Sequence, residues 1–173
     1  MVLIRPATQA DVPAIARIHV DSWRATYRGI VPAAVLNALS YAEHEERWEV
    51  RVGEDATAIT FVAEEEDGAL AGFVIGGKER SDDPLYDAEL YAIYLDPAHM
   101  RQGTGTLLVR ALARALDVNG YRALLVWVLA DNPARHFYAA LGAQFVREAT
   151  INIGGAALAE YAYGWPALAA LAG

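Results

Sequence analysis

The residues with the most chemistry to offer lie in one stretch, Ile93-Tyr94-Leu95-Asp96-Pro97-Ala98-His99-Met100-Arg101-Gln102-Gly103-Thr104-Gly105-Thr106-Leu107-Leu108. The apolar run before it, Ala88 to Leu95, stops at Asp96-Pro97. Proline cannot donate to a sheet ladder, so the run reads as a strand that ends there. A polar loop and Gly-Thr-Gly follow, and the apolar periodicity beyond them predicts a helix from about Thr104. The first N–H groups of a helix lack internal partners and point outward, with the positive end of the helix dipole behind them. Glycine at 103 and 105 lets a bulky anion approach those amides, and Arg101 adds positive charge. Strand, loop and helix start together predict a pyrophosphate cradle. Neither common nucleotide fingerprint fits. The Gly-Lys-Ser/Thr of the P-loop is absent, and the third glycine of the dinucleotide pattern is replaced by Leu108.

The rest of the chain supplies the elements that hold this stretch. Val2 to Arg5 predicts a short strand closed by Pro6, and Thr8 with Asp11 has the form of a capping box. Val12, Ile15, Ala16, Ile18, His19 and Trp23 give the following helix one buried face. Residues 22–32 leave it as an aromatic, basic loop. Pro32 then opens a short helix to about Leu39, and Ser40 caps a third whose charge run, Glu43 to Glu49, reads as a solvated face. Ala56 to Ala63 and Leu70 to Gly76 are strands joined at the hairpin signal Asp67-Gly68, and 78–84 is a loop. Leu107, Leu108, Ala111, Leu112, Ala115 and Leu116 form the apolar stripe of the long helix, which Asn119-Gly120 ends. Ala123 to Leu129 reads as a strand buried on both faces. Asp131-Asn132-Pro133 starts a helix ending at Leu141-Gly142. Strands at 144–153 and 157–163 follow, then a loose helical turn after Trp165. This order predicts an α/β (α+β) fold in one domain, 1–173, with a mixed, mostly antiparallel sheet.

Composition narrows the partners. The chain has 173 residues, 55% hydrophobic and 21% charged, as in an ordinary globular domain with a sizeable core. The net charge of −8 opposes a nucleic-acid partner and favours cationic small molecules. The absence of cysteine excludes disulfides, thiolate metal sites and a cysteine nucleophile. Met1 leads directly into a strand without a signal-peptide layout, and no apolar run reaches the ~18 residues of a membrane span. A cytoplasmic protein away from membranes is the expectation. The histidines form no i, i+4 pair, so no metal site is expected. His99 and His136 are expected in solvent.

The segment from Ala88 to Gly142 resembles the core of the GCN5-related N-acetyltransferase superfamily, and the element order agrees over essentially the whole chain. The family's phosphate-binding signature, Gln/Arg-x-x-Gly-x-Gly/Ala, stands here as Met100-Arg101-Gln102-Gly103-Thr104-Gly105, with Met100 in place of the leading Gln/Arg. The second signature is Asn132-Pro133-Ala134-Arg135-His136-Phe137-Tyr138-x-x-Leu141-Gly142. The resemblance implies a sheet of about seven strands, splayed at an acetyl-CoA site. It implies that the backbone of Ile93, Tyr94 and Leu95 pairs with the pantetheine arm. It implies cofactor contacts from Met100, Arg101, Gln102, Gly103, Thr104, Gly105, Thr106, Asn132 and Tyr138.

The same resemblance makes Tyr138 the general acid on the leaving thiolate, and Glu89 the group that takes the amine proton, directly or through water, with ordered water alone as the alternative base. Period-two alternation puts Glu89 and Tyr91 on one face of their strand, apart from any bulge. Trp23, Tyr27 and Tyr91 are expected to wall the acceptor pocket for a cationic or apolar amine. Arg24 and Arg28 could instead bind a carboxylate. The implied activity is direct acetyl transfer from acetyl-CoA to a primary amine of a small molecule such as a polyamine, metabolite or drug. The alternatives are a protein or peptide acetyltransferase and a non-catalytic acyl-CoA-binding domain. A homodimer is expected to cover the final hairpin and the apolar tail around Trp165.

Overall fold

The computed structural model describes residues 2–53 and 57–172. Along the chain it runs β1 (Leu3–Pro6), α1 (Val12–Thr26), α2 (Ala33–Asn37), α3 (Tyr41–Arg51), β2 (Ile59–Glu64), β3 (Leu70–Lys78) and β4 (Ala88–Leu95). Then come α4 (Thr104–Val118), β5 (Leu124–Leu129), α5 (Ala134–Ala140), β6 (Gln144–Ile153), β7 (Ala156–Trp165) and α6 (Leu168–Ala172). Seven strands form one sheet in the order β1-β2-β3-β4-β5-β7-β6. Every neighbouring pair is antiparallel except β4 and β5.

That parallel pair shapes the middle of the sheet. Only Ala88, Glu89 and Leu90 of β4 pair with Leu124, Leu125 and Val126 of β5. Beyond them the two strands part, while β4 stays paired to β3 as far as Leu95 and β5 stays paired to β7 as far as Leu129. The parting begins at a bulge. Ile75 of β3 faces Ala92 but Gly76 faces Leu90, which leaves Tyr91 as an extra residue in β4. A bulge sharpens local twist and re-aims the residues after it. Leu90, Ile93 and Leu95 accordingly pack with the α4 side of the sheet, whereas Tyr91, Ala92 and Tyr94 pack with the α1 and α3 side.

Most predicted elements stand where the pattern put them, and the differences have physical reasons. Helix α1 continues through Trp23 to Thr26, so the aromatic segment begins on a helix and not in a loop. Pro6 lies inside β1 and faces Phe61; β1 is an edge strand, where a missing N–H costs no ladder bond. Strand β2 starts at Ile59, and the expected start at Ala56 lies outside the described residues. Strand β3 runs two residues past its expected end, and β7 gains residues at both ends because each continues to pair. The buried stripe of α4 is Leu108, Val109, Leu112, Ala113 and Leu116, while Leu107 is 45% exposed. In the charge run of α3 the glutamates and Arg47 face outward, but His44 and Trp48 are buried between them.

The C-terminal tail alters the expectation of a dimer. It forms α6, whose Leu168 and Leu171 are buried in the α4 core, and Trp165 donates its indole N–H to the Leu141 carbonyl at 2.9 Å. The tail is therefore covered within one chain, while Phe145 on the final hairpin stays 57% exposed.

Candidate active site

At the C-terminal ends of β4 and β5 the parted strands open a cleft, and the β4–α4 loop stands at one end of it. A 3-10 turn at 97–99 is capped by Asp96, whose Oδ1 accepts from the Ala98 N–H at 2.8 Å. His99 does not lie free in solvent as expected. Its Nε2 sits 2.9 Å from Glu65, which pins the loop to the β2–β3 hairpin. Gln102 Nε2 donates to the Ala98 carbonyl at 2.9 Å. Arg101 takes a left-handed backbone (φ 60°) and makes no ion pair among the described residues. Met100 is 44% exposed, and α4 begins after Gly103 at φ 86°.

The two glycines act differently. A Cβ on Gly103 would meet nothing within 4 Å, so glycine is needed here for its backbone, which takes the left-handed region that glycine reaches at little cost. A Cβ on Gly105 would come within 3.2 Å of the Phe137 ring, so its small size lets α5 pack on α4. The first-turn amides of Thr104, Gly105 and Thr106 have no partner within the helix, and the Arg101 charge stands two residues before Gly103.

Four residues from distant parts of the chain converge in the cleft. Asn132 is buried and caps α5 by accepting the Ala134 N–H at 2.9 Å. Its Nδ2 donates to the Tyr27 hydroxyl at 3.2 Å, which lies 3.4 Å from the Tyr94 hydroxyl. Tyr138, on α5, is 5% exposed, and its ring meets Phe137 and Trp165. Its hydroxyl has no hydrogen-bond partner among the described residues. Burial first, and then neighbouring Tyr27, push the Tyr138 phenol well above its ordinary pKa. Burial and Tyr27 do the same to Tyr94. Both therefore carry their protons at neutral pH, and Tyr138 can give one to a base formed beside it.

Glu89 lies on the α1 and α3 side and is 3% exposed. Arg80 holds it through three N–H groups: the backbone at 3.2 Å, Nε at 3.0 Å and Nη2 at 2.5 Å. Tyr91 belongs to the same cluster. Its ring lies 4.1 Å under the Arg80 guanidinium and its hydroxyl donates to the Lys78 carbonyl at 2.6 Å, so it braces the clamp on Glu89 and is not joined to the Tyr27 cluster. Of the expected wall residues, Trp23 and Tyr27 do come together, with ring centroids 4.6 Å apart. Arg24 is committed to the Leu39 carbonyl at 2.7 Å and to the Tyr41 ring.

Behind this wall, His19 stacks on Tyr94 at 5.2 Å and accepts the Trp48 indole N–H on Nδ1 at 3.2 Å. An accepting ring nitrogen carries no proton, which fits the neutral ring. Burial, followed by the charge of neighbouring His44, pushes the His19 pKa from 6.5 down to about 3. Because the folded pKa is depressed, the stabilisation is complete above pH 6.5 and is lost as pH falls from 6.5 toward 3. The loss is at most about 1.4 kcal/mol per pH unit. Asp11 and Glu79 titrate below their ordinary values and Glu160 above its own, so in the interval from pH 6.5 to 5 the part of the change that His19→Phe removes belongs to His19. Urea midpoints should fall further across it for the natural chain than for His19→Phe.

A last contact closes the cleft on the side of α2. The β6–β7 turn at Gly154-Gly155, both at positive φ, lies directly against α2, and a Cβ on Gly154 would collide with Val35 and approach Pro32. Val35, Leu36, Leu39, Ile151, Ile153 and Leu158 join Tyr27 and Leu129 in one apolar cluster. Near this contact is a cavity of about 360 Å³ lined by residues 28–33, Leu36 and Ala156.

The chain is 42% identical over 171 residues to YuaI of Bacillus subtilis (strain 168), named as an uncharacterised N-acetyltransferase; the match covers 99% of this chain and 96% of that protein. The chain belongs to the GCN5-related N-acetyltransferase superfamily. Residues 83–151 match the family model described as FR47-like protein. A GCN5-related N-acetyltransferase structure from Rhodopseudomonas palustris superposes with a TM-score of 0.74 at 24% identity, covering 95% of this chain and 94% of that one. A phosphinothricin acetyltransferase from Sinorhizobium meliloti, solved with acetyl-CoA, gives 0.72 at 21% identity, covering 96% and 88%. As a member of this superfamily the chain is an acetyl-CoA-dependent N-acetyltransferase.

In this acetyltransferase fold, the loop 100–106, the edge of Ile93 to Leu95 that β5 leaves unpaired, Asn132 and Tyr138 all follow from the C-terminal ends of β4 and β5. Two side chains went unnoticed in the sequence. The Tyr94 side chain joins the Tyr27 cluster because the bulge turns it to that face. Glu160 lies on β7 opposite Leu129, and burial followed by the charge of Glu89 raises its carboxyl above the usual range. The alternation of Leu158, Glu160 and Ala162 along β7 was the available signal. Among the described residues no helix is long and apolar enough to cross a membrane, and no group of three potential ligands gathers to hold a metal.

Proposed function

We propose that this N-acetyltransferase works in the cytoplasm on the primary amine of a small molecule. The observation that carries the reading is the docking of Gly154 of the β6–β7 turn onto Val35 of α2, which bridges the space where a peptide would have to lie. What remains on the acceptor side is an aromatic and apolar wall of Trp23, Tyr27, Tyr94 and Leu129, suited to a compact amine. The net charge of −8 favours cationic acceptors.

The residues fit the donor. The amides of 103–106 and Arg101 are assigned to its pyrophosphate, with Met100 and Gln102 at the rim, and the free edge of Ile93 to Leu95 to its pantetheine arm. Acetyl-CoA supplies the acyl group when bound. A free N–H on that edge is the donor assigned to the developing oxyanion. Tyr138 is assigned as the acid on the thiolate. Glu89 keeps its place on the amine side. With Arg80 occupying both of its oxygens, it is assigned to face the amine only through water.

The test is steady-state thiol release from acetyl-CoA against two panels, one of polyamines, amino acids and aromatic amines, the other of peptides with free N-termini or lysines. The expected result is turnover on small amines at least about tenfold faster than on any peptide. Faster turnover on a peptide would overturn the assignment of substrate class.

A further inference from the structure

We propose that Glu160 accepts the proton that the acceptor ammonium must lose before it can attack. The inference rests on the acetyltransfer reading of the cleft and names the base within it. Two carboxylates lie on the acceptor face near the point where β4 and β5 part. Glu89 is consumed by Arg80 through three N–H groups, whereas Glu160 has no hydrogen bond or ion pair among the described residues. Glu160 is half-buried, so it is both shielded and reachable. Its position in the register explains the geometry. It faces Leu129, the last residue of β5, on the stretch of that strand that β4 has left. Leu129 packs with Tyr27, and Trp23 and Tyr94 border the same cluster, so Glu160 is one strand away from the wall assigned to the amine.

The charged and titratable groups facing it are accounted for. Glu89, neutralised in part by Arg80, is the charge felt by Glu160. Arg147 on β6, two residues from the Glu160 partner Ala149, is turned away onto Asp83 and the Trp127 ring. Tyr27 and Tyr94 hold their phenols together in the cluster that includes Leu129, the residue Glu160 faces. A carboxyl raised by burial and a like charge holds a proton more readily than one in water, the direction a base near neutral pH requires.

The protons balance. Glu160 takes one from R–NH3+ and passes it to solvent. The freed lone pair forms the C–N bond as the C–S bond breaks. A second N–H proton leaves the new amide, matching the one Tyr138 gives to the thiolate.

The test is the pH dependence of kcat/KM with the best amine of the panel, for the natural chain, Glu160→Gln and Glu160→Asp, with acetyl-CoA affinity by calorimetry. Expected is a fall of about 10²-fold or more for Glu160→Gln at neutral pH, partly recovered at alkaline pH where the amine is neutral unaided. Glu160→Asp should keep the acidic limb, and acetyl-CoA affinity should stay within about twofold in both. An unchanged limb in Glu160→Gln overturns the proposal, as does a rise in KM alone with kcat preserved. If the natural chain binds acetyl-CoA but turns over no amine, the acetyltransfer reading fails and the base falls with it.

Discussion

Replacing Tyr138 by Phe should lower kcat by about 10²-fold or more while leaving acetyl-CoA affinity within about twofold. The Tyr138 ring packs against Phe137 and Trp165, and Phe keeps those contacts. The hydroxyl bonds to no protein group among the described residues, so its removal strands no donor or acceptor in the core. The fold should therefore melt at the same temperature or slightly higher. What is lost is the one buried hydroxyl on α5 that a departing thiolate in the cleft could draw on. Because burial and Tyr27 hold its pKa far above neutrality, the proton stays in place over the working pH range, and no alkaline limb below about pH 10 should belong to Tyr138. Steady-state kinetics beside calorimetric titration checks both halves. Turnover equal to that of the natural chain would remove Tyr138 from the mechanism.

The cleft was legible where each part is written locally. Ala88 to Leu95, the glycines and the α4 periodicity are contiguous, and the two signatures carry Asn132 and Tyr138 at a spacing the fold fixes. What could not be read depends on events with no local mark. The bulge at Tyr91 leaves no trace in a run of apolar residues, yet it turns Tyr94 toward Tyr27 and decides which side chains face the acceptor. The bond from Asn132 to Tyr27 spans 105 positions, so nothing near either residue announces it. The clamp of Arg80 on Glu89 joins a loop to a strand, and it changes what that glutamate can do. The packing of the apolar tail was hidden at the same level. Trp165, Leu168 and Leu171 look exposed until α6 is seen folded onto α4.

Trp48 shows the same limit on the side of stability, and its replacement by Ala should have the largest effect on the fold. It sits inside the charge run of α3, which reads as a solvated face, yet it is 1% exposed. Its ring meets Phe73 of β3 at 4.9 Å and His19 of α1 at 5.9 Å, and it joins Val12, Ile15, Ala16 and Val62 in the core between the helices and the sheet. Truncating a buried aromatic of this size costs about 3–5 kcal/mol, a large part of the about 5–15 kcal/mol that holds a domain together. The substitution also removes the donor to His19 Nδ1 and leaves a buried ring nitrogen without a partner. His19 is the ring on which Tyr94 stacks, so the loss should reach the cleft. Trp48→Ala is expected to lower the urea midpoint strongly at pH 7, and to loosen acetyl-amine turnover through Tyr94 at temperatures where the chain is still folded. Trp48→Phe, which keeps the ring but not the N–H, separates the two causes. If packing dominates, it should restore most of the stability; if the bond to His19 dominates, it should restore little. A Trp48→Ala midpoint within experimental error of the natural chain would mean that α3 is not part of the core that positions the site.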